Sequence, residues 1–330
     1  MYHAHITGTG SSLPERILYN KDLEAIVDTS DEWIIRRSGI SERRISSIHA
    51  DETTTDLGTR AARTAMQMAD VSASQLDTII VASVTGDRHC PATACLIQKE
   101  LAAENAAAYD LSAGCSGFIY ALDAANNAIR AGVAENILVI GVERLSSIVN
   151  WKDRSTCVLL GDGAGAVVLT RKETPGGIMS THIKSDGNYW DLLYSEAGNS
   201  YLPETLADVD LKPYYLKMEG NRLFKQAVSS MARMADHALE CNGLRREDVH
   251  LLIPHQANIR ILTAVAERLQ IPMDKVFTNL HKYGNTSSAS IPIAIDEAHR
   301  NGKIPSGSNV LLISFGAGLT WGAALLEWSL

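Results

Sequence analysis

The chain predicts an α/β protein made of two related halves, and three observations carry that prediction. Apolar runs of strand length alternate with stretches whose apolar residues recur at helical spacing. The pattern then repeats at an offset of about 170 residues. Ala61 to Val84 (helix, polar link, strand) matches Ala232 to Pro254, and Asn136-Ile-Leu-Val-Ile-Gly matches Asn309-Val-Leu-Leu-Ile-Ser. The strand, turn and helix around Cys115 match Phe277 to His299. Between these blocks, Pro175 to Leu216 is rich in Gly, Pro, Asn and Asp, as a seam with a variable loop would be. Residues 1–175 and 176–330 are the expected halves. Each should hold a largely parallel sheet covered by helices, with corresponding turns aimed at one shared cleft.

Taken in order, Ala4-His-Ile-Thr-Gly-Thr-Gly predicts a strand ending in a turn. Asp28 to Ile40 predicts a helix capped by Thr29 or Ser30, acidic in its first turn and stopped at Gly39. Trp33 and Arg37 share one face of it by their i, i+4 spacing. The default is a packed ring beside a solvated cation, but the pair also suits a nucleotide. Thr53 to Ala69 predicts a capped amphipathic helix, Leu76 to Thr85 a buried strand, Thr93 to Leu101 a helix of small residues, and Asn136 to Glu143 another buried strand. Gly161-Asp-Gly-Ala-Gly-Ala fits the dinucleotide fingerprint in letters only. Such a loop must open a helix, whereas Thr156 to Leu160 and Ala166 to Thr170 on either side are strand-like. A glycine-rich link between two buried strands is expected there. Asn221 to about Glu240 predicts a long helix with Leu223, Ala227, Met231, Met234 and Leu239 on one stripe, its methionines core rather than ligands.

Composition narrows the function classes. A net charge of −8 with no long basic run argues against a nucleic-acid binder. No apolar run approaches membrane-spanning length. The first residues lack the basic-then-apolar order of a signal peptide. Five cysteines (Cys90, Cys95, Cys115, Cys157, Cys241) are an odd number without disulfide-framework or zinc spacing. A cytoplasmic, reduced, metal-free protein is the expectation.

Chemistry concentrates in the turns. Ala107 to Leu111 has the length and flanks of a buried strand, and Phe118, Leu122, Ala125 and Ile129 recur at helical spacing up to Gly132. Gly114 and Gly117 bracket Cys115, so the chain can turn sharply there. A thiol at a helix start is expected to ionise more readily, since unsatisfied N–H groups and the macrodipole favour thiolate. The same amides would bind an oxyanion. Alone, a free cysteine is more often a small core residue. His255, in Pro254-His-Gln-Ala-Asn-Ile-Arg, is expected to open a helix directly after the strand Val249 to Ile253. Asn285, in Tyr283-Gly-Asn-Thr-Ser-Ser-Ala-Ser, occupies the turn of the second half that corresponds to that of Cys115. Phe315-Gly-Ala-Gly-Leu-Thr-Trp-Gly ends the last strand in a turn able to present backbone N–H groups. A lone histidine is by default a packed one, and His281 and His89 keep that reading. Cys, His and Asn on three strand-end turns facing one cleft favour function.

With the Cys115-Ser-Gly-Phe turn, Gly161-Asp-Gly-Ala-Gly-Ala, Pro254-His-Gln-Ala-Asn, Gly284-Asn-Thr-Ser-Ser-Ala-Ser and Gly318-Leu-Thr-Trp-Gly in view, the sequence resembles the thiolase superfamily. Within it, the resemblance is to the β-ketoacyl-acyl-carrier-protein synthase III family, over nearly the whole chain. It implies a thiolase-like fold, with duplicated α/β halves forming a five-layered α-β-α-β-α architecture. It makes Cys115 the residue acylated by an acyl-CoA. His255 and Asn285 would bind the malonyl thioester carbonyl and stabilise the enolate left by loss of carbon dioxide. Attack on the acyl-enzyme would give a 3-oxoacyl-carrier protein, the first condensation of fatty-acid synthesis. A buried carboxylate would repel the malonyl group, and the three motifs contain none.

The same resemblance makes the amides of Cys115 and Ala317 the oxyanion donors. Trp33 and Arg37 become contacts for the adenine side of CoA, with Arg154 on the opposite lip, and Asn258 a residue of the pantetheine tunnel. Gln256, Arg260, Lys225 and Arg268 become an edge for an acidic acyl carrier protein. Coenzyme A thioester is implied as substrate, with no tightly bound cofactor, and a homodimer is implied. Family members often have Gly where Ala317 stands, so the backbone there must be one alanine tolerates. Cys90 stands where members specialised for acetyl primers tend to carry a bulky aromatic that closes the partner's acyl pocket. A smaller side chain is compatible with a longer or branched primer.

Rival readings leave more unexplained. Cys, His and Asn in this chain order also mimic a papain-like protease, but the local Cys-Gly-Ser-Cys-Trp signature is missing. A degradative thiolase needs a second cysteine in the last glycine-rich turn. A hydroxymethylglutaryl-CoA synthase needs an acid just after the strand ending at Val84, and Ser83-Val-Thr offers none. A secondary-metabolism relative, priming quinolone or polyketide synthesis with a medium-chain or aryl acyl-CoA, would share the same three residues and stays open. A non-catalytic binding module would be favoured only by an incomplete set.

Overall fold

The computed structural model describes residues 1–47, 52–195 and 214–330, so part of the expected seam, 196–213, lies outside the described residues. Two mixed sheets share one strand order. Across the first run His3–Ser12, Asp162–Lys172, Asn136–Arg144, Thr78–Ala82 and Ala107–Leu111. Across the second run Gly177–Ser185, Thr320–Glu327, Asn309–Gly316 and Leu251–Pro254, and a parallel bridge from Leu252 to Val276 stands where a fifth strand would be. The duplication read from the sequence is therefore present in the topology.

The largely parallel pairing is not. Among the described strands of the two main sheets, Thr78–Ala82 with its two neighbours and Leu251–Pro254 with Asn309–Gly316 pair in parallel, and the other pairs are antiparallel. A parallel connection needs a long crossover, whereas Gly316 and Thr320 face each other across a turn of three residues that reverses the chain.

Alternation along the strands builds five layers. Ile80, Ala82, Ile137 and Val139 of the first sheet and Leu251, Ile253, Val310 and Leu312 of the second share one core with Phe118, Leu122, Ile291 and Ile295, from the helices Gly117–Arg130 and Ser290–Arg300. The intervening residues Ile79, Val81, Leu138 and Ile140 pack under the helices Thr54–Ala69 and Thr93–Leu101. Leu252, Leu311 and Ile313 pack under Gly220–Cys241 and Ile259–Leu269. A one-residue slip in any central strand would exchange its two faces, each buried side chain being worth about 1.5–3 kcal/mol, so the register is firmly held. Among the described residues no helix is long and apolar enough to cross a membrane.

Local signals held in most places. Thr53 and Asp56 close a reciprocal capping box, Ser30 rather than Thr29 caps Asp31–Ser38, and Gly39 ends that helix at φ 79°. Four expectations change. The strand His3–Ser12 continues past Gly8 and Gly10, with a register irregularity between Ile6 and Gly8 rather than a turn, and both glycines lie against the helix Thr54–Ala69. Asp162–Lys172 takes Gly163 and Gly165 of the motif into the strand itself, and Arg154–Cys157 before it is a short helix, not a strand. Ala107–Leu111 is a largely exposed edge strand rather than a buried one. His255 does not open a helix, which begins at Ile259 with Asn258 as its cap.

Candidate active site

Gly114–Ser116 form a single tight turn before the helix Gly117–Arg130, with Gly114 at φ 54°. This turn interlocks with Gly316-Ala317-Gly318. A Cβ on Gly316 would fall 2.5 Å from Cys115 N, and one on Gly114 would fall 2.8 Å from Ala317 N. Only glycine allows the two backbones to meet this closely, and the result is two adjacent amides beside the thiol. Ala317 is not among the residues at positive φ, so alanine is tolerated there. Burial pushes the Cys115 thiol up to about 11 and nearby Glu143 adds to the rise, against the Ser287 hydroxyl and the residue's own N–H, which pull it down. Easy ionisation, expected from the helix start, is thus outweighed by desolvation of the sulfur.

His255 follows the buried strand Leu251–Pro254, and its N–H donates to Ile313 O at 2.8 Å. Its Nδ1 lies 2.7 Å from Ser290 Oγ, and Gln256 N–H donates to that same oxygen at 3.3 Å. Already accepting from Gln256, the hydroxyl is suited to donate to Nδ1, an arrangement that puts the ring proton on Nε2. Burial lowers the pKa of His255 to about 4, so the ring is neutral near pH 7.

Asn285 is gripped through its backbone. Its N–H donates to Leu159 O at 2.8 Å and its carbonyl accepts from Gly161 N at 2.9 Å. Gly161 can approach because it has no Cβ, which would sit 2.3 Å from Tyr283 O. The first glycine of the fingerprint-like motif thus forms a ledge for Asn285. The side-chain Oδ1 accepts from Ser287 N at 2.8 Å, leaving the Nδ2 donors unspent.

Cys115, His255, Asn285, Ser287 and Ala317 line one cavity of about 940 Å³. Trp33, Arg37, Arg154, Asn258, Lys225 and Arg260 line the same space. The Arg154 Cζ is 4.7 Å from the Trp33 ring centroid and that of Arg37 is 5.8 Å away, so cations from two different elements share one ring. Asn258 caps its helix by accepting from Arg260 N, and its Nδ2 donates to Arg37 O, tying two walls together. Gln256 is not an edge residue. It is 1 % exposed, its Nε2 donates to Pro254 O and Phe277 O, and its Oε1 accepts from Asn279 N. Three buried backbone groups need that amide, which keeps it inside. Arg268, on the helix Ile259–Leu269, and Cys90 are exposed and do not line their own chain's cavity.

Two family models match the chain: 3-oxoacyl-[acyl-carrier-protein (ACP)] synthase III over residues 109–187 and its C-terminal counterpart over 239–328. The β-ketoacyl-[acyl-carrier-protein] synthase III of Caldanaerobacter subterraneus subsp. tengcongensis is 51% identical over 326 residues, which is 99% of this chain and 98% of the relative. The chain belongs to the β-ketoacyl-acyl-carrier-protein synthase III family. The crystal structure of the Aquifex aeolicus synthase III superposes with a TM-score of 0.92 at 50% identity, covering 98% of this chain and 100% of that one. The priming β-ketosynthase of the R1128 polyketide pathway gives 0.93 at 36% identity, covering 99% and 96%. The five layers are thus those of a thiolase-like synthase III fold.

Three residues around the synthase III cavity were not singled out in sequence. Ser287 and Ser290 lie in the Gly284-Asn-Thr-Ser-Ser-Ala-Ser motif, but sequence gives them no role, since only the fold sets them on the thiol and the imidazole. Glu143 is an acid outside the three motifs that the fold brings close to the thiol. It is fully buried near the end of its strand Asn136–Arg144 and accepts from Val84 N and Thr85 Oγ1, just past the strand Thr78–Ala82, and from Ser288 Oγ. Burial pushes its carboxyl up, while those donors pull it down. It does not line the cavity, so it braces the turns rather than meeting substrate.

Proposed function

We propose that Cys115, His255 and Asn285 carry the synthase III reaction in this chain. The protein is an acyltransferase of fatty-acid biosynthesis. The single observation that carries the residue assignment is the shared cavity: thiol, neutral imidazole and carboxamide line it together, and an aromatic ring with two guanidinia stands among its walls.

In the first half-reaction an acyl-CoA enters past Trp33, Arg37 and Arg154, whose ring and charges suit an adenine and phosphates, and past Asn258 along the pantetheine arm. Sulfur forms a bond to the acyl carbonyl carbon as its proton leaves. The oxyanion takes hydrogen bonds from the amides of Cys115 and Ala317, and collapse expels the CoA thiol, which takes up a proton. In the second half-reaction His255 Nε2–H and Asn285 Nδ2–H donate to the malonyl thioester carbonyl. Loss of carbon dioxide leaves its electron pair in the enolate they stabilise. The carbanion attacks the acyl-Cys115 thioester, the C–S bond breaks, and 3-oxoacyl-carrier protein departs while the released thiolate takes up a proton from solvent to restore the thiol. Neutral donors are the right choice here, since they favour the developing oxyanion without having a proton to lose at pH 7.

Arg260 and Lys225, exposed at the cavity, with Arg268 farther out, are the proposed cationic edge for acyl carrier protein. The uncovered edge strand Ala107–Leu111 supports a homodimer, because an exposed edge is open to a second copy. In that dimer Cys90 would line the partner's acyl pocket. Coenzyme A thioester is substrate rather than resident cofactor, a cytoplasmic location is proposed, and the halves divide at 175 and 176, where the chain leaves the first sheet for the second.

Incubating the protein with acetyl- to octanoyl-CoA and reading the added mass tests the first step directly. Wild type should gain one acyl group and Cys115→Ala none; labelling that survives in Cys115→Ala removes this cysteine from the mechanism.

A further inference from the structure

Away from the cavity, the strand Gly177–Ser185 and the last turns of the long helix Gly220–Cys241 bring three metal donors together. His237 and Cys241 are four residues apart and share a helix face. Cys241 Sγ lies 3.7 Å from His237 Nε2 and 3.9 Å from Nδ1. His182 reaches them from the strand. Its ring meets that of His237 edge-on with centroids 4.7 Å apart, and one donor atom from each residue lies within 4.8 Å of the other two. A tetrahedral zinc ion, with Zn–S ~2.3 Å and Zn–N ~2.1 Å, separates its nitrogen and sulfur ligands by roughly 3.6 Å. The His237–Cys241 edge is already near that length.

An outer shell is also present. His182 Nε2 is 3.0 Å from Ser180 Oγ, Asn242 Nδ2 donates to that oxygen at 2.6 Å, and the same Nδ2 donates to Ala238 O at 2.7 Å. Strand and helix end are thereby tied around the ring, as the outer partners of ligating histidines usually are. With Nε2 so engaged, His182 Nδ1 remains for a cation. His237 and Cys241 are exposed and His182 is half-buried, which gives an ion an entry path and leaves a fourth position for water.

We propose that His182, His237 and Cys241 form a binding site for zinc, the borderline-soft dication suited to two imidazoles and a thiolate. Binding replaces the Cys241 S–H bond with an S–Zn bond, releases the proton to buffer, and clamps the helix end to the edge strand. Spacing along the chain conceals such a site because His182 comes from a different element, and the proposal runs against the metal-free expectation.

Calorimetric titration and equilibrium dialysis of the full chain with Zn²⁺ alone test this, in a Cys115→Ala background so that the cavity thiol takes no metal. The expected result is one saturable equivalent with about one proton released, and a thiolate-to-metal absorption band when Co²⁺ is used instead. Cys241→Ser should remove the band and weaken binding by more than the roughly 10- to 100-fold that an outer-shell change costs. His237→Ala should weaken it similarly. Condensation by Cys241→Ser in the otherwise native chain should stay at the wild-type rate. Absence of a saturable equivalent, a cobalt band that persists in Cys241→Ser, or an equal response to Mg²⁺ would overturn the assignment.

Discussion

Replacing Ser290 by Ala should impair one half-reaction and spare the other. The hydroxyl meets His255 Nδ1 at 2.7 Å and Gln256 N at 3.3 Å, where His255 is 3 % and Gln256 1 % exposed. Water does not readily replace it, so both partners lose their hydrogen bond in a dry place. An unsatisfied buried group costs about 1–3 kcal/mol. Placed wholly on the decarboxylation transition state, that is roughly a 5- to 160-fold loss of rate. Ser290 touches no reacting atom; it acts by keeping the proton on Nε2. The assay preforms the acyl-enzyme, then follows carbon dioxide release from malonyl-carrier protein, with acylation measured separately by mass. The kcat for decarboxylation should fall in that range with little change in KM, acylation should stay within about twofold, and Ser290→Thr should recover most of the rate. Equal loss of both half-reactions, or full decarboxylation by a folded Ser290→Ala protein, would refute the tautomer argument.

His255 should make the fold acid-sensitive. Its pKa is about 4 when folded against an ordinary 6.5, so the unfolded chain binds the extra proton between those values. Stability is then complete above pH 6.5 and falls as pH drops toward 4, by about 2–3 kcal/mol between pH 7 and 4.5. Urea titrations of wild type and His255→Gln should differ by that amount in their pH dependence, and parallel losses would reject it. Arg260→Glu should raise the apparent KM for acyl carrier protein about fivefold, roughly 1 kcal/mol for an exposed charge, with the effect shrinking in salt. Acylation by CoA substrates should be unchanged, and an unaltered KM for the carrier protein would remove Arg260 from that edge. Gly161→Ala would drive a methyl toward Tyr283 O, 2.3 Å from the ideal Cβ. It should cost about 1–3 kcal/mol of stability and slow decarboxylation through displacement of Asn285, both measurable by thermal melting and carbon dioxide release; an unshifted melt would mean that the ledge is not tight.

Much of the architecture was legible in local pattern. Helix spacing, the Thr53 and Ser30 caps, the Gly39 stop and the repeat of Asn136 to Gly141 at Asn309 to Ser314 are short-range signals, written in consecutive residues. The same signals misled at glycines. Gly8, Gly10 and the glycines of the 161–166 motif read as turns or links, whereas they lie in or beside strands so that a backbone from another element can approach. Which neighbour comes close is not a property of the local sequence.

The site divides the same way. Cys115, His255 and Asn285 could be chosen from residue type and strand-end position alone. Their protonation could not, because the helix start that favours a thiolate is visible in sequence while the burial that opposes it is not. Nor could the assignment of Gln256 to three buried backbone groups, the two guanidinia on one Trp33 ring, or the convergence of His182 with His237 and Cys241. The sequence by itself determined the elements, their duplication and the chemical groups available, since these follow from periodicity and side-chain type. Tertiary structure decided which groups are dry, which are satisfied and which meet, since desolvation and hydrogen bonding depend on partners distant along the chain.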